Sequence, residues 1–184
     1  MPLLGPDDPL PACPRRVVVA GTSGSGKSTL ARRIAIALQL PYVELDSLHH
    51  GPGWVPRPDF DANVGAFAAT ERWVTEWQYR AVRPLLAGRA ELLVWLDLPT
   101  AVVMRRVVVR TVRRRVRREV LWNGNVEPPL HTVVTDPDHV VRWAWRTRHA
   151  TPERVAAVVE ERPELAVVRL RTAKEVRRWL TALG

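Results

Sequence analysis

Cysteine is nearly absent from this 184-residue chain. Cys13 is the only one, so no internal disulfide can form, and a reducing, cytoplasmic setting is the expectation. Lysine is almost as scarce: apart from Lys27 and Lys174, the 28 basic residues are all arginine. Long apolar runs are missing too. Stretches such as Leu92–Leu96 and Val107–Val109 are too short to cross a bilayer, so no membrane partner is expected. The opening "MPLLGPDDPLPACPRR" has no basic region followed by an apolar core, which argues against a signal peptide. Its prolines mark residues 1–14 as a disordered tail ahead of one domain over 15–184. The composition is otherwise that of a globular fold, with 46% hydrophobic residues and a formal charge of +9. That charge favours anionic partners: nucleotides, phosphorylated metabolites or nucleic acid.

What is present alternates strand with helix. "RVVVAG", "PYVELD", "RWVTE", "ELLVWLDLP" and "ELAVVRL" read as five strands. Helical spacing follows in Leu30/Ile34/Ala37/Leu38, in Phe60/Val64/Phe67 and in a long arginine-rich helix from Thr100 to about Glu119. Asp136-Pro137 offers a helix start running to about His149. Such alternation predicts an α/β fold with a parallel sheet covered on both faces.

Between the first strand and first helix, Gly21-Thr22-Ser23-Gly24-Ser25-Gly26-Lys27-Ser28 matches G-x-x-x-x-G-K-[ST] in full. Gly21, Gly24 and Gly26 free the loop to aim successive N–H groups inward, and the helix adds its unsatisfied donors and positive dipole end. Ser23, Ser25 and Thr29 complete the set of nucleotide contacts. Lys27 would reach the β- and γ-phosphates of ATP, and the Ser28 hydroxyl would ligate Mg²⁺.

With this loop, "VELDSLHHGPGW", "RWVTEWQY", "LVWLDLP", "RRVVVRT" and "VVRLRTAKEV", the chain resembles the adenylate-kinase-like branch of P-loop proteins, the nucleoside monophosphate kinase and shikimate kinase type. It is also similar to bacterial proteins described as DNA topology modulation proteins. The resemblance spans about Arg16 to Leu183. It implies a three-layer P-loop NTPase fold, a five-stranded parallel sheet of order 2-3-1-4-5, and a lid over the phosphates at about residues 110–135.

Two acids compete for the magnesium position. Asp97 ends the better hydrophobic-then-acid run, whereas the resemblance favours Glu76, next to the P-loop strand. The family's Asp-Gly pair is Glu76-Trp77 here, and Trp77 would fill space where a substrate passes. Glu44 and Asp46, two apart on an expected strand, would share one face at the end where ligands of such sheets bind. The resemblance makes Asp46 the residue that binds the acceptor and takes its proton, with His50, Trp54, Gln78 and Tyr79 framing the acceptor pocket.

"MRRVVVRTVRRRVRR" places Arg106, Arg110, Arg114 and Arg118 four apart along one helical stripe. By resemblance, Arg106 would lie against the nucleotide base and Arg110 toward the phosphates. Arg142 and Arg146 would complete the clamp, and Arg171 in "VVRLRTAKEV" adds a nucleotide contact. The expectation is an ATP- and Mg²⁺-dependent kinase of a small acceptor, either a nucleotide or a hydroxyl metabolite, acting as a monomer or weak dimer. The alternative is an ATP-binding regulator that uses its basic lid on nucleic acid.

Overall fold

The computed structural model describes residues 3–137 and 139–183; Met1, Pro2, Asp138 and Gly184 lie outside the described residues. The sheet holds β1 (Leu3–Leu4), β2 (Arg16–Gly21), β3 (Tyr42–Val43), β4 (Trp73–Glu76), β5 (Leu92–Leu96) and β6 (Ala166–Leu170), every pairing parallel. Its order is β1-β6-β5-β2-β4-β3.

β2 is central because it is apolar on both sides. Val17, Val18 and Val19 are completely buried, each contributing about 1.5–3 kcal/mol relative to exposure. Val17 and Val19 face one core, against α1 (Lys27–Ala37) through Leu30 and Ile34 and against α9 (Ala173–Leu183) through Trp179. Val18 and Ala20 face the other, formed with α3 (Phe60–Ala68), α4 (Arg83–Arg89) and α8 (Ala150–Glu161). The period of two along one strand thus builds three layers.

The expectation of five strands needs correction. The five expected strands keep their order, but a sixth, β1, adds to the edge at β6, with Leu3 opposite Val167 and Leu4 opposite Val168. Part of the tail read as disordered is therefore fixed. Leu4 and Leu10 pack on the core, the Gly5 amide donates to Asp8 Oδ2 at 2.7 Å, and Arg178 pairs with Asp7 at 2.7 Å. Covering the β6 edge satisfies backbone groups that would otherwise be left open.

The second strand is shorter than "PYVELD" implies. β3 stops at Val43, and α2 (Leu45–His49) begins after Glu44. The cause lies in β4: the buried Glu76 carboxylate accepts the Leu45 amide at 3.3 Å, while the Leu45 side chain is fully buried. Glu44 and Asp46 therefore do not share a strand face. Glu44 turns outward to Arg32, with both carboxylate oxygens 2.9 Å from Nη2, and Asp46 turns inward.

The arginine helix is α5 (Thr100–Val116), anchored by Val103 and Val107 against Ala144 of α7 (Val140–Arg146). His139 caps α7 by accepting the Val141 amide, so this helix starts later and ends sooner than the Asp136-Pro137 signal implies. A four-residue helix α6 (Thr132–Thr135) precedes it. No helix among the described residues is long and apolar enough to cross a membrane.

Candidate active site

β2 delivers the loop 21–28 to the C-terminal edge of the sheet. Gly24 and Gly26 have φ of +84° and +102°, in the region only glycine occupies without strain. Gly24 is also sterically fixed, since a Cβ there would lie 2.1 Å from Cγ2 of Val107. Among the main-chain amides of residues 23–29, only Ser25 donates to a main-chain carbonyl, that of Thr22 at 3.0 Å. The others include the first donors of α1, which have no intrahelical acceptor. Amides left without main-chain acceptors at a helix N-terminus suit an anion, and this loop is the candidate cradle. Ser25 is 1% exposed, and its buried hydroxyl lacks a hydrogen-bond partner among the described residues.

Lys27 lies beside the cradle with Nζ donating to Thr22 O at 3.3 Å. Burial lowers its pKa, partly offset by the charges of Asp46 and Glu76. Arg106 donates to Ser25 O at 3.0 Å, so it braces the cradle rim rather than standing clear of it for a base. Arg110 reaches the same centre, where its charge is felt at Lys27. Burial lowers its pKa, followed by the repulsion of Arg114. Its Nε is buried without a hydrogen-bond partner among the described residues.

Of the two acids, Glu76 is at the cradle. It is fully buried, and burial raises its pKa against the opposing hydrogen bonds from Tyr42 and Ser28. The Tyr42 hydroxyl is 2.5 Å from Oε1. A hydroxyl next to a carboxylate, beside a phosphate cradle, is a donor set that suits Mg²⁺, which takes one or two protein oxygens together with phosphate and water. Asp97 is engaged elsewhere: Arg169 Nε donates to its Oδ2 at 2.8 Å. Trp77 does not block a substrate path. It is 7% exposed, packs in the core under the sheet and donates from Nε1 to Arg83 O at 3.0 Å.

Asp46 sits on α2 facing Gln78 and Tyr79. Gln78 Nε2 and the Tyr79 hydroxyl both donate to Oδ1, at 2.7 and 2.6 Å. His50 Nε2 lies 3.2 Å from the same hydroxyl, and His49 stacks on the Tyr79 ring at 4.1 Å. Burial lowers both histidine pKa values, and the neighbouring His50 lowers that of His49 further. Trp54 meets His50 edge-on at 5.1 Å. The residues expected around the acceptor are thus gathered about one carboxylate.

Others are not gathered. Arg142 and Arg146 project from the side of α7 opposite Ala144; Arg142 donates to Val134 O at 2.9 Å and Arg146 lies over the Trp143 ring at 5.7 Å. The exposed Arg171 follows β6, with its amide bonded to Glu175. Thr29 is exposed on the first turn of α1. Sequence reasoning missed Tyr42, which holds Glu76, and Asn123, Asn125 and Glu127 in the loop after α5. The Asn123-Gly124 pair marks a turn in the sequence, but nothing there singles out these side chains.

A parallel sheet of this order, with a glycine-rich loop ending its central strand, is a three-layer α/β fold matching that of P-loop kinases. In sequence the chain is similar to the shikimate kinase of Bradyrhizobium diazoefficiens, 26% identical over 148 residues, which cover 68% of this chain and 67% of that one. A gluconokinase from Sinorhizobium meliloti 1021 has the same fold, with a TM-score of 0.52 and 24% identity over 92% of this chain and 91% of its own. A sugar kinase from Janibacter sp. HTCC2649 aligns at a TM-score of 0.48 and 22% identity, over 91% and 92% of the two chains. No protein-family model matches the chain. The likeness to DNA topology modulation proteins has no counterpart among these three relatives.

Proposed function

We propose that the protein is an ATP-dependent kinase that phosphorylates a hydroxyl group of a small metabolite. The observation that carries this reading is the pairing of two half-sites at one sheet edge. The cradle amides with Lys27 form one, and a carboxylate fixed by two donors on a single oxygen forms the other.

Because Gln78 and Tyr79 both bond Oδ1 of Asp46, Oδ2 remains the oxygen to receive an acceptor hydroxyl. In the transfer, the acceptor oxygen bonds to the γ-phosphorus as the bond to the ADP oxygen breaks, and the hydroxyl proton passes to Asp46. Lys27, the loop amides and Arg110 hold the phosphoryl oxygens, placing fixed positive charge where negative charge develops. Ser28 and Glu76 would hold Mg²⁺, which neutralises charge on the β- and γ-phosphates when bound. The Tyr42 hydroxyl orients Glu76 for that role.

On the acceptor side, Arg57 pairs with Asp59 by two bonds of 3.0 and 2.6 Å and Arg83 lies over the Trp77 ring, while the exposed Arg80 lines the same pocket as Arg57. The similarity to a shikimate kinase supports a hydroxyl metabolite over a nucleoside monophosphate.

The test is an ATP-consumption screen over nucleoside monophosphates, sugars and hydroxy acids, with the wild type and Lys27→Ala. Consumption stimulated by a sugar or hydroxy acid and abolished in Lys27→Ala is the expected result. Nucleic-acid binding that falls steeply with salt, with no acceptor stimulating ATP use, would overturn it and assign exposed Arg105, Arg113 and Arg117 to a phosphate backbone.

A further inference from the structure

Two loops face each other across the site. In the acceptor loop, Pro52–Trp54 forms one 3₁₀ turn, bracketed by a bridge between His50 and Pro56. In the lid, Trp122–Gly124 forms another, bracketed by a bridge between Val120 and Val126. Asn125, 4% exposed, joins them. Its Oδ1 accepts the Trp54 amide at 3.0 Å, and its Nδ2 donates to Gly51 O at 2.9 Å and to Trp122 O at 2.8 Å. Trp54 Nε1 adds a bond to Val126 O at 3.3 Å, and Asn123 Nδ2 donates to His50 O. Two residues on, the buried Glu127 turns to α5. Its carboxylate accepts Arg114 Nη1 and its carbonyl accepts Arg115 Nη1, each at 3.3 Å, and its charge acts on Arg110.

The geometry points to Asn125 as a positioning residue that ties the acceptor loop to the lid arginines, so that both sides of the site order as one unit. This rests on the reading that ATP fills the cradle and the acceptor meets Asp46; Asn125 touches neither place. The link runs by hydrogen bonds from Gly51 and Trp54 to Asn125, along the main chain through Val126 to Glu127, and by hydrogen bonds again to Arg114 and Arg115 on the helix that carries Arg110 and Arg106. A fully used, buried primary amide specifies one arrangement, because any other leaves donors and acceptors unpaired. Coupling through it is reciprocal: ATP that orders the acceptor loop is itself bound more tightly once an acceptor is present.

The experiment follows hydrogen exchange at the Trp54 amide in the full chain, with and without ATP and Mg²⁺, in the wild type, Asn125→Ala and Asn123→Gly. Asn123 has φ +56°, so glycine fits its backbone and removes only the side-chain bonds. In the wild type, ATP is expected to slow Trp54 exchange at least tenfold. In Asn125→Ala, exchange without ATP rises at least tenfold and the ATP response is lost, while ATP affinity stays within threefold and the β2 and β5 amides stay protected. Asn123→Gly shows part of the same loss and carries the test if Asn125→Ala does not fold. With an acceptor found by the screen, Asn125→Ala lowers acceptor-stimulated turnover at least tenfold with the KM for ATP little changed. Trp54 protection in both variants equal to wild type, with and without ATP, would overturn the proposal. If the wild type binds no ATP, the cradle reading fails by itself, and exchange in the free protein still decides whether Asn125 ties the loops.

Discussion

Gly24→Ala is the sharpest perturbation of the cradle, because two separate costs meet at one atom. At φ +84° an alanine is strained by about 1–2 kcal/mol. The added Cβ would also lie 2.1 Å from Val107 Cγ2 and 3.2 Å from Val103 O, where carbon contacts settle near 3.5–4.0 Å. Val107 is fully buried and cannot swing into solvent, so α5 must move, at an overpacking cost of about 1–3 kcal/mol. The expected loss is about 2–5 kcal/mol, read as a lower urea midpoint at unchanged slope. Because α5 carries Arg106 and Arg110, ATP affinity falls as well. Val107→Ala alone costs about 1–3 kcal/mol for its lost methyl groups. It also removes the overlapping atom and leaves Val103 O at 3.2 Å and Val107 Cβ at 3.4 Å as the nearest. The double variant should therefore be more stable than the sum of the two losses implies, by about 1–3 kcal/mol. Strict additivity would refute the reasoning, since it would mean Gly24 and Val107 do not meet.

Glu76→Gln should weaken the Mg²⁺ dependence of ATP binding at least tenfold, whereas Asp97→Asn should leave it intact and cost about 1–2 kcal/mol of stability through Arg169; magnesium titration and urea unfolding separate the two. Tyr79→Phe removes one of two donors on Asp46 and should lower kcat about tenfold with little change in the KM for ATP, checked by steady-state kinetics. Burial holds His49 and His50 below the ordinary 6.5, so the unfolded chain binds more protons near that pH. Stability should then decline as pH falls below about 6.5. Thermal unfolding of a His49→Gln/His50→Gln variant should show a flatter profile between pH 5 and 7.

The glycine-rich loop between β2 and α1 was legible because its constraints are local: glycines where φ is positive, a lysine, a hydroxyl, and a strand that is apolar on both faces. Five strands and their order followed from the alternation and the resemblance. β1 was not legible, since two leucines in a proline-rich stretch carry no period, and only the open edge of β6 gives them a partner. "PYVELD" has strand propensity through Glu44, but Glu76, distant in sequence, captures the Leu45 amide and ends the strand. The role of Asp97 depended on Arg169, likewise remote. Arg142 and Arg146 had suitable spacing, but the buried face of α7 is set by Ala144 against Val103 and Val107, which turns both arginines away. The Asn125 bridge left no signal, since a buried asparagine and a turn asparagine look alike in a sequence.

The most direct measurement is an ATP–Mg²⁺ titration followed through the backbone amide resonances of residues 23–29. Those amides should shift together and saturate at the affinity measured calorimetrically, with the effect lost in Lys27→Ala. Saturable ATP binding that moves other amides and leaves these seven in place would contradict the central claim that this loop grips the triphosphate.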